Sequence, residues 1–351
     1  MRKYYHCFLV IVFFSVLVLQ LDVRGQSSEE SLSNYADGVV TILAWDNNKT
    51  RVGEGCGLAL ADNLIAIPYH FISQATEAEV TSSNGKKSKV EALVAVDHAH
   101  DLALVRLKGK LDVKPLPLGG SGQLVSGAPL AVLAGVNGQI IITSGEMRGW
   151  LELIKDRLRV MSISISLEKP TCGAPIFNNK NEVVGVALVL DSGIKFGVPV
   201  EPLLSLNRSE RGLDLKSASK EIYFETAEGS FLAGKVACLL NEPSTAIRYL
   251  EKYVKLKPGE VEPYLCLGRC YYQLNDFANS YNSYNRALEI KPDDAQGLYG
   301  LGLNLIRQKN FKEATEILEK ALAQALEAKE ALFELASAYK ELKAYDQAAV
   351  Y

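Results

Sequence analysis

The sequence predicts a multidomain chain: an all-β barrel or sandwich followed by an all-α array of helical repeats. Two observations carry this. Residues 36–206 read as short apolar runs of four to nine residues, separated by turn residues and with no helical period between them. From about residue 220 the period changes, and Gly234, Gly268, Gly302 and Ala336 stand 34 residues apart. The 351 residues have the length for two domains, and 48% hydrophobic with 23% charged residues is the composition of globular protein.

The N-terminus comes first and lies outside either half. Arg2 and Lys3 precede FLVIVFFSVLVLQL, a 14-residue apolar run broken only by Ser15 and Gln20. Roughly 20 apolar residues are needed for a helix to span a bilayer. The positive start, short apolar core and small Gly25 predict a secretory signal at residues 1–25, cleaved near Gly25-Gln26. Left uncleaved, it would act as an anchor. Cys7 lies at the start of the run rather than after it, which argues against lipid anchoring. The mature protein is therefore expected to be exported, to a periplasm or the extracellular space. Cys56, Cys172, Cys238, Cys266 and Cys270 would remain, and an odd count leaves at least one thiol unpaired. Cys266 and Cys270, four apart on a predicted helix, read as small buried packing residues.

In the β half, residues 30–206, the strand candidates are GVVTILAW, CGLALA, LIAIPY, EALVAV, LALVRL, APLAVLAG, QIIITSG, RVMSISIS, EVVGVALVL and IKFGVPV. DNNK, SSNGKK, GVNG and NNKN supply turns between them. Many short strands without intervening helices mean a barrel or sandwich. LNRSERGLDLKSASKE, 206–221, is polar and reads as connection, so that a linker is expected over 207–226.

Residues 227–351 hold about three and a half repeats. Pro258 and Pro292 keep the interval, as do Ala246, Ser280, Ala314 and Ala348, and Ala287 with Ala321. Small residues at fixed places let paired helices approach closely, and the Pro marks the turn after each second helix. PYLCLGRCYYQLNDFANSYNSYNRALEIKP resembles a tetratricopeptide (TPR) repeat almost throughout, and GLYGLGLNLIRQKNFKEATEILEKALAQ matches without the closing Pro. The first repeat is weaker, with Tyr253 where a small residue is wanted. The fourth reaches Tyr351 as its second helix begins, so the expectation is that further chain or a partner covers its apolar face.

Three polar positions stand out in the β half. His70 ends LIAIPYH, Asp101 opens DLALVRL, and Cys172 sits in KPTCGAP. The order His, Asp, nucleophile resembles that of chymotrypsin-fold proteases. Closer still is the HtrA (Deg) branch of trypsin-like serine peptidases, over roughly residues 38–205. GEGCGLALADNLIAIPYHFI is similar to its Gly-rich strand and His motif, and VAVDHAHDLALVRL to its Asp motif. LPLGGSGQLVSGAPLAVLAGVNGQIIITSGEM resembles its central hairpins, PTCGAPIFNNKNEVVGVAL its nucleophile loop, and FGVPV its substrate-channel strand.

That resemblance implies a chymotrypsin-like double β-barrel, with His70 as general base, Asp101 as the carboxylate that orients it, and Cys172 at the nucleophile position. The family has Ser there, and its loop usually reads Gly-Asn-Ser-Gly-Gly-Pro. A thiolate next to a His is a competent nucleophile, so that change alone leaves activity open. The oxyanion region, Pro170, Thr171 and Gly173, departs further. Family members draw one oxyanion donor from the Gly two residues before the nucleophile, and Pro170 has no N–H. Losing one such donor costs roughly 10²–10³ in rate, about 2.7–4 kcal/mol. Ala174 for Gly is a milder change. Two bland alternatives stand beside this: Asp101 as a turn cap, and Cys172 as an inert small residue on a collapsed loop. His98 and His100 read as solvated. In an oxidising compartment Cys56 and Cys172 are candidates for a disulfide, since the strand of Cys56 resembles one that passes the nucleophile.

HtrA relatives usually carry a PDZ module where this chain has repeats. Such repeats line a concave groove with their first helices, which by register would present Lys235, Arg269, Tyr272, Gln273, Tyr299, Arg307 and Lys340. Aromatic and basic groups suit an extended peptide or a terminal carboxylate, so proteins or peptides are the expected partners. A net charge of −3 without a Lys/Arg stripe argues against nucleic acid. No metal-ligand cluster, phosphate loop or dinucleotide fingerprint appears, so neither a metal nor a cofactor is expected. Asn48 and Asn207 stand in N-x-[ST] sequences. The sequence thus predicts a proteolytically impaired, peptide-binding pseudoprotease or scaffold. The alternatives are an active endopeptidase with a Cys172–His70–Asp101 triad, and a binding array on a purely structural barrel.

Overall fold

The computed structural model describes residues 31–136, 138–218, 220–324 and 329–351. The expected signal at 1–25 lies outside them. Two compact units divide between Lys220 and Glu221. Among the described residues no helix is long and apolar enough to cross a membrane.

Unit one contains two closed antiparallel barrels. The first is built from β1 (Val39–Trp45), β2 (Arg51–Ala61), β3 (Leu64–Pro68), β4 (Glu77–Ser82), β5 (Lys87–Asp97) and β6 (Leu102–Leu107). They run in the order β1-β2-β3-β6-β5-β4, and β4 closes on β1 through Val40↔Ser82 to Trp45↔Glu77. The second comprises β7 (Pro129–Val136), β8 (Gln139–Ile154), β9 (Leu158–Ile163), β10 (Pro175–Phe177), β11 (Val183–Val189) and β12 (Lys195–Pro199). Its order is β10-β11-β12-β9-β8-β7, closed by β10 on β7. Closure removes the exposed sheet edges that would otherwise invite pairing with another chain.

Side chains alternate with the strand period, so that β4 points Ala78, Val80 and Ser82 inward. Ile42, Leu58, Ile65, Ile67, Leu102 and Leu104 fill the first barrel and Phe177 and Phe196 the second, all fully buried. Each such side chain contributes about 1.5–3 kcal/mol. Two strands escaped the sequence reading: β4, whose inward residues are small, and β10, which is only three residues long.

The expected linker over 207–226 needs correcting. Residues 207–220 belong to the barrel unit. Leu213 exchanges two backbone hydrogen bonds of 2.8 Å with Leu93, and Ser209 N–H donates to the Val94 carbonyl at 3.0 Å. Arg106 adds bonds from its guanidinium to the carbonyls of Glu210 and Arg211. Polarity marked this segment as loop, but backbone pairing carries no compositional signal.

After the short helix α1 (Glu201–Ser205), unit two is a run of helices: α2 (Ala227–Leu239), α3 (Pro243–Leu256), α4 (Val261–Gln273), α5 (Phe277–Ile290), α6 (Ala295–Arg307), α7 (Phe311–Ala323), α8 (Lys329–Glu341) and α9 (Tyr345–Ala348). The spaced glycines sit where helices touch. A Cβ on Gly234, Gly268 or Gly302 would lie 2.6–2.8 Å from Leu250, Tyr284 or Leu318 on the following helix. The helical turns repeat as well: Asn241, Asn275, Lys309 and Lys343 hold φ of 60–62°. Tyr253 is accommodated rather than expelled. It is buried against Phe231 at 5.1 Å, with its hydroxyl donating to Glu260 at 2.7 Å.

Candidate active site

Three elements of unit one converge on His70. β3 delivers the chain to a single 3₁₀ turn, Tyr69–Phe71, that carries the imidazole. β6 pairs with β3 through Pro68↔Leu102, which sets Asp101 beside that turn. Asp101 is fully buried and takes the left-handed φ of 56°. Its carboxylate accepts the His70 backbone N–H at 2.8 Å and the Nδ1–H at 2.5 Å, and its carbonyl accepts Tyr69 N–H at 2.9 Å. Both carboxylate oxygens are directed at one histidine, the geometry an orienting carboxylate needs.

Burial alone would push the imidazole pKa down. The Asp101 charge and hydrogen bond, with a further hydrogen bond to the Cys172 side chain, outweigh it and raise His70 to about 10. The two neighbouring histidines differ from each other. His98 is exposed and stands edge-on to Tyr69 at 4.7 Å. His100, contrary to expectation, is partly buried, with Nδ1 2.6 Å from Asp97 Oδ2.

Cys172 follows a second 3₁₀ turn, Lys169–Thr171, and its side chain is 3% exposed. Its Sγ accepts Val189 N–H of β11 at 3.4 Å. The three triad positions are therefore brought together. The backbone donors around the sulfur have other partners. Thr171 N–H bonds the Glu168 carbonyl at 2.9 Å, Cys172 N–H the Lys169 carbonyl at 3.0 Å, and Gly173 N–H the Ala187 carbonyl at 2.7 Å. Ala174 N–H bonds the Thr171 carbonyl at 3.1 Å. Glu168 and Thr171 brace the turn, the Thr171 hydroxyl donating to the Glu168 carbonyl at 2.7 Å. Sequence flagged Pro170 alone; the inward aim of the other amides depends on the turn, which no residue type announces.

Residues 55–186 match the description "Trypsin-like peptidase domain", and residues 268–309 and 299–351 match "TPR repeat" and "Tetratricopeptide repeat". The chain carries a trypsin-like peptidase domain followed by tetratricopeptide repeats. Over 152 residues it is 32% identical to anti-sigma-I factor RsgI9 of Acetivibrio thermocellus, covering 43% of this chain and 21% of that protein. Over 178 residues it is 28% identical to the mitochondrial serine protease HTRA2 of Bos taurus, covering 48% and 38%. The chain thus spans well under half the length of either relative. The crystal structure of Deg5 superposes with a TM-score of 0.45 at 18% identity, over 51% of this chain and 92% of that one.

Within the trypsin-like domain, Cys56 and Cys172 hold separate, unbonded thiols. Their backbones meet, Cys56 N–H donating to the Cys172 carbonyl at 2.7 Å. The Cys56 Sγ is instead directed at the carbonyls of Pro170, 3.4 Å away, and Gly135, 3.5 Å away. Burial pushes the Cys56 thiol up to about 12, which leaves it protonated and inert. Gly173 lets these strands meet: at φ 86°, a Cβ there would fall 2.1 Å from the Cys56 carbonyl oxygen.

In the tetratricopeptide repeats, one expected groove residue is corrected. Lys235 is buried, its ammonium paired with Glu262, so it does not present itself to a ligand. Register placed it on the right helix, but Glu262 and the packing of α4 enclose it. Arg269, Gln273, Arg307 and Lys340 are exposed, and Tyr272 and Tyr299 half-buried. Several of these are tied to neighbours: Arg307 Nε donates to the Tyr272 hydroxyl at 2.9 Å, Gln273 Nε2 to Asn241 Oδ1 at 2.7 Å, and Arg269 Nη2 to the Cys238 carbonyl at 3.3 Å.

Proposed function

We propose that this chain binds protein through its repeats while its trypsin-like domain has lost most of its proteolytic power. One observation supports this above the others: the backbone N–H groups of Thr171, Cys172, Gly173 and Ala174 are all bonded within the fold, and Pro170 has none. Acyl transfer needs donors aimed at the developing oxyanion, and each one removed costs roughly 10²–10³ in rate. A nucleophile position only 3% exposed adds an obstacle to substrate approach. Arg269, Tyr272, Gln273, Tyr299, Arg307 and Lys340 would hold an extended peptide or its carboxylate terminus. Residues 1–25 would direct the chain out of the cytoplasm, which N-terminal sequencing of the mature protein tests.

The reading is tested by incubating the full mature chain with an acyl-trapping peptide warhead and searching for an adduct by mass spectrometry. No adduct at Cys172, together with peptide capture that Arg307→Ala weakens, is the expected outcome. A second reading has its own support in the 2.5 Å His70–Asp101 bond: an endopeptidase with Cys172 as nucleophile, His70 as base and Asp101 orienting it. An adduct whose formation depends on His70 would establish that second reading and end the first.

A further inference from the structure

We propose that the repeats contain a thiol–disulfide exchange site, in which Cys238 on α2 closes a reversible disulfide with Cys266 or Cys270 on α4. Read from the sequence, Cys266 and Cys270 are packing residues, and the surroundings say otherwise. Cys238 Sγ lies 3.9 Å from the Cys266 carbonyl oxygen, and the Cys266 and Cys270 side chains both act on the ionisation of its thiol. Cys238 is thus the shared member of a three-thiol chain crossing between the first helices of two consecutive repeats.

Two cations are aimed at these sulfurs. Arg269 Nη2 stands 2.8 Å from Cys238 Sγ, and the buried Lys235 Nζ stands 3.5 Å from Cys266 Sγ. An apolar contact needs no cation, and a buried lysine is costly to keep. A positive charge beside a sulfur favours the thiolate, the form that attacks disulfides. The hydrogen bond with Cys238 holds the Cys270 thiol below its ordinary pKa, while its thiol neighbours and burial hold Cys238 and Cys266 above theirs. Among the described residues no set of His, Cys, Asp and Glu side chains converges to hold a metal ion.

The oxidant is a disulfide, either a small one such as glutathione disulfide or that of an exchange protein. The Cys238 thiolate attacks one of its sulfurs, forming a mixed disulfide and expelling one thiolate. The thiolate of Cys266 or Cys270 then attacks the Cys238 sulfur and expels the second. Two cysteine thiols lose two electrons and two protons, and the oxidant becomes two thiols. The product would join α2 to α4 covalently. It would also weaken the hold on Arg269, whose Nη2 contacts the Cys238 Sγ at 2.8 Å and donates to the Cys238 carbonyl at 3.3 Å. Because Cys238, Cys266 and Cys270 are 5%, 3% and 1% exposed, exchange has to wait for local opening of the helix pair and is slow.

The experiment equilibrates the full chain in glutathione buffers of rising disulfide fraction, quenches with acid, alkylates under denaturant and maps tryptic peptides. Cleavage after Arg269 places Cys266 and Cys270 on different peptides. The expected result is loss of two of the three thiols, with the Cys238 peptide joined to that of Cys266 or Cys270. Cys238→Ser and Cys238→Ala should both lose that link while circular dichroism reports intact helices. Three separately alkylated thiols in the most oxidising buffer, glutathione adducts alone, or a Cys266–Cys270 bond that persists without Cys238 would each overturn the proposal.

Discussion

Cys172 N–H donates to the Lys169 carbonyl at 3.0 Å. That bond closes the 3₁₀ turn preceding the sulfur and directs inward an amide that, in an acyl-transfer site, would face the substrate oxygen. The exposed Lys169–Asp191 ion pair of 2.8 Å adds at most a few tenths of a kcal/mol to about 1. The reciprocal capping pair of exposed Glu168 and buried Thr171 is the firmer hold on the turn. His70 and Asp101 are meanwhile paired at 2.5 Å, while the amides of 171–174 are bonded within the fold.

The first prediction concerns the His70–Asp101 pair. Asn tolerates the left-handed backbone of Asp101, so Asp101→Asn keeps the shape and removes the charge. Breaking a buried ion pair costs about 3–5 kcal/mol, and the retained amide hydrogen bonds place this variant at about 3. Urea unfolding should show a lower midpoint with unchanged slope.

The pH dependence follows from His70. Its folded pKa of about 10 lies above the unfolded value near 6.5, so its contribution is complete below about pH 6.5 and is lost as pH rises through about 10. The gap in unfolding midpoint between the wild type and Asp101→Asn, full at pH 6, should therefore have largely closed at pH 10. An undiminished difference at pH 10 would refute the pairing.

Gly173→Ala probes the closure of the nucleophile loop on β2. The added methyl group would sit 2.1 Å from the Cys56 carbonyl oxygen at a φ of 86°. Backbone strain and overpacking together should cost about 3 kcal/mol, seen as a lower melting temperature of the trypsin-like domain.

The helical repeats offer a stabilising change. Lys309 occupies the left-handed turn position that Asn fills at 241 and 275. Lys309→Gly removes a Cβ penalty of about 1–2 kcal/mol and adds some backbone entropy cost. The net gain should be about 0.5–1 kcal/mol in urea unfolding.

The sequence made the fold legible where side chains repeat or alternate. The 34-residue spacing located Gly234, Gly268 and Gly302 at helix contacts, because only a missing Cβ lets Leu250, Tyr284 and Leu318 so close. The triad positions were legible from their motifs, since strand pairing such as Pro68↔Leu102 follows once the runs are placed. What stayed hidden depends on partners distant in the chain. Lys235 reads as a groove cation until Glu262 encloses it, and Leu213 reads as linker until Leu93 pairs with it. The consumed amides of 171–174 belong to this class too, because hydrogen-bond direction is a property of the turn and not of Thr171 or Cys172.

Whether the bonded amides of 171–174 disable the site is tested most directly by casein hydrolysis with the purified full chain beside Cys172→Ala. The two proteins should release peptides at the same background rate. Efficient release by the wild type that vanishes with the sulfur would show that the bonded amides do not disable it.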